Sequence, residues 1–151
     1  MLTKRMFSAL AGAAILAAAT TGAAAQTVLR STDIHPTDYP TVEAVRHISK
    51  LLEERTKGRI KINVFHSAQL GNEKDTIEQT RFGVIDLNRI NMAPFNNLIP
   101  ATNVPSLPFI FRSVAHMRTV MDGPIGDSIL KEFEKHDLVG LAFYDSGSRS
   151  F

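Results

Sequence analysis

Polar and apolar positions along the chain switch repeatedly between two periods. From Gln26 to Asp33 the run TVLRSTD is β-branched and alternating, which predicts a first strand. His35-Pro36 to Tyr39-Pro40 predicts a loop, since each proline fixes its own φ and turns its predecessor away from helix. From Thr41 the apolar residues Val42, Val45, Ile48, Leu51 and Leu52 recur on one helical face, and Lys57-Gly58 stops that helix. Arg59 to Phe65 alternates, with Ile60, Ile62 and Val64 facing inward as a second strand. Asn72 is a good N-cap for a second helix, with Glu73 and Asp75 in its first turn and an end before Gly83. Val84 to Asn91 predicts a third strand that ends in polar residues.

Beyond it, Pro94, Pro100, Pro105 and Pro108 break 92–108 into a loop and short helical turns. Ser113 predicts the cap of a helix through Met121, stopped by Asp122-Gly123-Pro124. A further helix is expected over 125–136, with Ile129, Leu130 and Phe133 as its buried side. Phe109-Ile110-Phe111 is expected in the core or in packing between lobes. Leu138 to Tyr144, almost wholly apolar, predicts a fourth strand covered on both faces. Strands alternating with helices predict an α/β fold with a mainly parallel sheet and helices on both faces. A polar run then reaches Phe151 without a closing helix, so a piece of a longer protein is expected.

Charge changes this picture in one respect. The chain has 151 residues, 17 basic and 15 acidic, for a formal net charge of +2. Lys4 and Arg5 are the only charges in 1–25, so removing those two leaves 15 basic against 15 acidic. The basicity belongs to the leader. Its order is a positive start, an apolar stretch over 6–19 too short for a bilayer of about 30 Å, and the small residues Ala23-Ala24-Ala25. That order predicts a signal peptide over 1–25, cleaved after Ala25, and a periplasmic destination. With no cysteine, disulfides, lipid attachment and thiol chemistry are excluded, and an exported domain must stand on its core.

In open parallel sheets, ligands bind beyond the carboxyl ends of the strands. The residues just past the predicted strands are His35 and Asp38; His66, Gln69 and Asn72-Glu73-Lys74; Arg89-Ile90-Asn91; and Asp145, Ser146, Ser148 and Arg149. Cations mixed with hydrogen-bonding groups suit a polar anionic ligand. No nucleophile elbow, phosphate loop, dinucleotide fingerprint or zinc motif occurs, and the five histidines lack ligand spacing, so neither metal nor cofactor is expected. Basic residues do not cluster with aromatics, which argues against nucleic acid.

Several segments in order resemble one family. They are His35-Pro36, Phe65-His66-Ser67-Ala68-Gln69-Leu70-Gly71-Asn72-Glu73, Thr76-Ile77-Glu78-Gln79 to Gly83, Asp86-Leu87-Asn88-Arg89, Pro105-Ser106-Leu107-Pro108-Phe109 and the stretch 144–151. Together they resemble the solute-binding proteins of tripartite ATP-independent periplasmic (TRAP) transporters. The resemblance implies a two-lobed, type II-like binding protein that closes on a carboxylate-bearing solute. It also implies delivery to integral-membrane permease subunits, with the receptor acting as a monomer. On that footing 26–144 is the first lobe and 145–151 the start of the crossing to the second. The resemblance marks Arg149 as a carboxylate ligand and Asn91 as a polar contact, with Arg89 two residues before it. Glu73 faces the polar end of the ligand, and His35 follows the first strand. With this variety of groups the chain most resembles the sugar-acid branch of the family, and that resemblance implies a hexuronate such as glucuronate or galacturonate. Simpler roles compete: Arg149 with Asp145, Arg89 with Asp86, Glu73 with its helix dipole, Asn91 with loop backbone, His35 with its proline loop. A secreted hydrolase or isomerase, with His35 and Glu73 as acid and base, is the competing function.

Overall fold

The parallel sheet is built outward from its most buried strand. In a computed structural model, residues 25–147 are described; almost all of the expected leader, and Arg149, lie outside them. Strand β1 (Thr27–Asp33) grows more buried toward its carboxyl end, where Ser31, Thr32 and Asp33 are enclosed. It lies between β2 (Ile60–Phe65) and β3 (Leu87–Arg89), parallel to both. The register sets Asp33 opposite Arg89 and Thr32 opposite Phe65.

Helix α1 (Pro40–Arg55) covers this sheet through Val42 and Val45, which are buried with Ile62 of β2. Each such side chain stabilises by about 1.5–3 kcal/mol when fully enclosed. The helix begins one residue earlier than the periodicity predicts, because Pro40 serves as its first residue, where its missing N–H is no loss. Ile48, expected on the buried face, is exposed. Ser49 faces the outer edge of β2 instead. Its Oγ donates to the Ile62 carbonyl (2.9 Å) and accepts from the Ile62 N–H (3.0 Å), occupying backbone groups that β1 does not pair.

Helix α2 (Glu73–Arg81) starts as expected, with Asn72 Oδ1 accepting from the N–H groups of Lys74 and Asp75. Strand β3 is shorter than the expected 84–91. Val84 and Ile85 both donate to the Gln79 carbonyl and so complete the end of α2, while the Asn91 N–H turns to a side chain. Short 3-10 turns follow at Ala93–Phe95 and Pro100–Ser106. Ser113 caps α3 (Val114–Met121), and α4 (Pro124–Glu132) runs on into a 3-10 turn, Phe133–His136. The two helices approach so closely that a Cβ on Gly126 would lie 1.8 Å from the Met121 carbonyl oxygen.

The second core gathers Ile77, Phe95, Ile99, Met121, Ile129 and Phe133, with Phe95 and Phe133 edge to face at 4.9 Å. Phe111 packs against it, but Phe109 is 93% exposed at a φ of 60° and is not a core residue. The expected fourth strand does not form. Residues 138–144 pair with no strand among the described residues, and Val139 and Leu141 are exposed. Apolar character marks a segment for burial, but a strand also needs a neighbour for its backbone groups. Among the described residues no helix is long and apolar enough to cross a membrane.

Candidate ligand-binding site

The carboxyl ends of β1 and β3 bring the predicted residues together in two hydrogen-bonded groups. The first is built on Asp33, the last residue of β1, whose side chain is 1% exposed. Its Oδ1 accepts from the His35 N–H (2.9 Å) and lies 2.7 Å from His35 Nδ1. Oδ2 accepts from the Thr41 hydroxyl at 2.8 Å. The register of β3 then delivers Arg89, with Nη1 3.8 Å from Oδ1 and 3.0 Å from His35 Nδ1. The His35 ring stacks on Tyr39, centroids 4.1 Å apart and planes 14° from parallel.

The second group joins Glu73, in the first turn of α2, to Asn91, just past β3. Glu73 Oε1 accepts from the Asn91 N–H at 2.8 Å. A carboxylate there also sits well with the positive end of the helix dipole. Between the two groups runs the segment 66–72. Its Ser67 N–H donates to the His35 carbonyl (2.7 Å) and its Ala68 N–H to the Asp33 carbonyl (3.3 Å). Ser67 and Ala68 both adopt left-handed φ values, 55° and 56°, a conformation non-glycine residues hold only when surrounding bonds enforce it.

The competing partners of the arginines are settled in part. Asp86 does not pair with Arg89. It accepts from the Arg30 N–H at 2.7 Å, which leaves Arg89 to Asp33 and His35. Asp145 accepts from the Arg118 guanidinium of α3 at 3.0 Å and from the Gly147 N–H at 3.0 Å. That backbone bond first, and Arg118 second, hold the Asp145 carboxyl below its usual range. Arg149 lies outside the described residues. Sequence reasoning missed Asp33, Thr41 and Tyr39. The strand-end rule reaches Asp33 if the last residue of the strand is counted along with those beyond it. Among the described residues no three acidic or histidine side chains converge as metal ligands.

Comparison with known proteins places the chain in a family. Residues 32–151 match the family described as bacterial extracellular solute-binding protein, family 7. The chain belongs to this family. It is the TRAP solute-binding family that the sequence resembles, a family of receptors. A solute-binding protein of Chromohalobacter salexigens is 42% identical over 121 residues, 80% of this chain and 36% of the relative. A TRAP periplasmic solute-binding protein from Xanthobacter autotrophicus Py2, solved with β-D-galacturonate bound, is 57% identical. The match has a TM-score of 0.76 and covers 79% of this chain and 40% of that one. Another, from Pseudomonas putida F1 with D-glucuronate bound, is 37% identical at a TM-score of 0.76, over 80% and 40% of the two chains. This chain therefore spans 40% or less of the relatives just named.

Proposed function

We propose that the protein containing this chain is a periplasmic receptor that binds a hexuronate or a similar sugar acid and hands it to a TRAP-type membrane permease. The observation that carries this reading is the pairing of His35 with Arg89 at the carboxyl ends of β1 and β3, and of Glu73 with Asn91 just past β3. A sugar acid needs both a cationic fork for its carboxylate and varied partners for its hydroxyl groups, and these residues supply both. Relatives solved with galacturonate and glucuronate support the same ligand class. In this reading 1–25 is an export signal removed after Ala25, 26–144 is the first of two lobes, and 145–151 begins the crossing. The receptor closes as a monomer around the solute and carries no cofactor.

Calorimetry on the full-length protein with galacturonate, glucuronate, an aldonate and a dicarboxylate tests the proposal. A sugar acid binds and is recovered unchanged; absence of binding by every acid overturns the reading, and turnover of the ligand replaces it with an enzyme. Within the same experiment Arg149→Ala weakens sugar-acid binding by at least about tenfold, the scale of one hydrogen-bonded charge pair. Unchanged affinity removes Arg149 from the site.

A further inference from the structure

The least exposed charged group of the site is Asp33, which His35 and Thr41 hold by hydrogen bonds. We propose that Asp33 is a positioning residue that sets the chemical character of both His35 and Arg89. By fixing His35 with its proton on Nδ1, it leaves Nε2 as an acceptor for a ligand hydroxyl. By anchoring Nη1 of Arg89, it leaves the other edge of that guanidinium for a ligand carboxylate. This inference rests on the sugar-acid reading above and names the residue behind its selectivity.

The argument is one of donors and acceptors. An ionised carboxylate only accepts, and an arginine only donates. His35 Nδ1 stands 2.7 Å from Asp33 Oδ1, so a lone pair on Nδ1 would face a lone pair on oxygen. A proton on Nδ1 removes that repulsion. Arg89 Nη1 also stands 3.0 Å from Nδ1, but the shorter contact to a charged oxygen wins the proton. Nη1, 3.8 Å from the same Oδ1, is then held by charge and not by a bond to the ring. Asp33 is held for this task by the Thr41 hydroxyl on its other oxygen and by the His35 N–H. Tyr39 fixes the plane of the ring. A neutral imidazole with its proton on Nδ1 accepts at Nε2. Among the described residues neither Nε nor Nη2 of Arg89 donates a hydrogen bond, and neither is sealed from solvent without a partner.

Selectivity follows. The Nε2 lone pair welcomes a hydroxyl and repels a second carboxylate, so the site favours a uronate over a plain dicarboxylate.

The test uses the full-length protein. Heteronuclear NMR in mildly alkaline buffer reads the His35 tautomer, and calorimetry reads D-galacturonate against succinate. The proton is expected on Nδ1 in the wild type. Asp33→Asn is expected to move it toward Nε2, weaken galacturonate binding at least tenfold and narrow the preference over succinate. Thr41→Val, which leaves the carboxylate in place, is expected to keep the tautomer. A wild-type proton on Nε2 overturns the proposal, as does an Asp33→Asn protein with unchanged tautomer and affinities. If Asp33→Asn does not fold, the wild-type and Thr41→Val spectra decide alone. A wild type that binds no sugar acid but shows the Nδ1 proton overturns the functional reading and leaves the Asp33–His35 assignment standing.

Discussion

Glu73 shows how one side chain can hold a site together before any ligand arrives. Its carboxylate accepts from the Asn91 N–H and stands in the first turn of α2, so it links a helix start to a strand end. Glu73→Ala strips the acceptor from a half-buried N–H and the anion from the helix dipole, and should cost about 1–2 kcal/mol in denaturant unfolding of the full-length protein. Glu73→Gln keeps an acceptor and should recover most of that loss. Equal losses in the two variants would mean that the Asn91 bond contributes nothing. At this scale the sequence was informative about residue type and poor about partners. His35, Glu73, Arg89 and Asn91 were singled out by the strand-end rule for parallel sheets, and the structure draws them into two hydrogen-bonded pairs. That Arg89 joins Asp33 and not Asp86 was not legible, because the choice depends on the β1–β3 register, a long-range fact.

Among the elements, α1 and β2 owe part of their fit to a polar residue. Ser49 stands where β2 has no strand neighbour among the described residues. Ser49→Ala leaves the Ile62 N–H and carbonyl unpaired beneath the helix and should lower stability by about 1–3 kcal/mol in chemical denaturation. A change within error would show that water reaches that edge. The segment after the last turn is tied down differently, by Asp145 to Arg118 of α3 and to its own Gly147 N–H. Because the folded pKa of Asp145 lies below its ordinary value, this attachment is complete above the unfolded carboxylate pKa of about 3.9. It is lost as pH falls through the lower, folded value. Arg118→Ala should raise the Asp145 pKa toward the ordinary value in an NMR titration, without abolishing the shift that Gly147 supplies. No movement would assign the whole effect to the backbone bond. The helices were legible from periodicity and caps, as Asn72 and Ser113 show. Strand limits were not. The ends of β3 are decided by competing acceptors at Gln79 and Glu73, and 138–144 finds no strand to pair with among the described residues.

Taken as a whole, the molecule has a sheet edge and an apolar segment facing a shared groove. Among the described residues β3 pairs with β1 on one side only. Across a groove of about 1110 Å³, lined among others by Ile85, Phe95, Leu130, Phe133 and Phe143, run residues 138–144. Val139 and Leu141 are 72% and 71% exposed. Apolar surface gathered in this way seldom stays open to water in a folded protein. The relatives with solved structures are more than twice as long as the stretch matched here, so they have further chain available to cover such a surface. Residues 26–147 produced alone should therefore bind an apolar fluorescent dye strongly and associate with one another, while the full-length protein should do neither. Leu141→Ser should reduce dye binding in the isolated piece. In the full-length protein the same substitution should cost about 1.5–3 kcal/mol, the scale of a buried leucine returned to water. Equal dye binding by both forms, or a full-length protein indifferent to Leu141→Ser, would mean that the groove stays open and that 138–144 is covered by nothing.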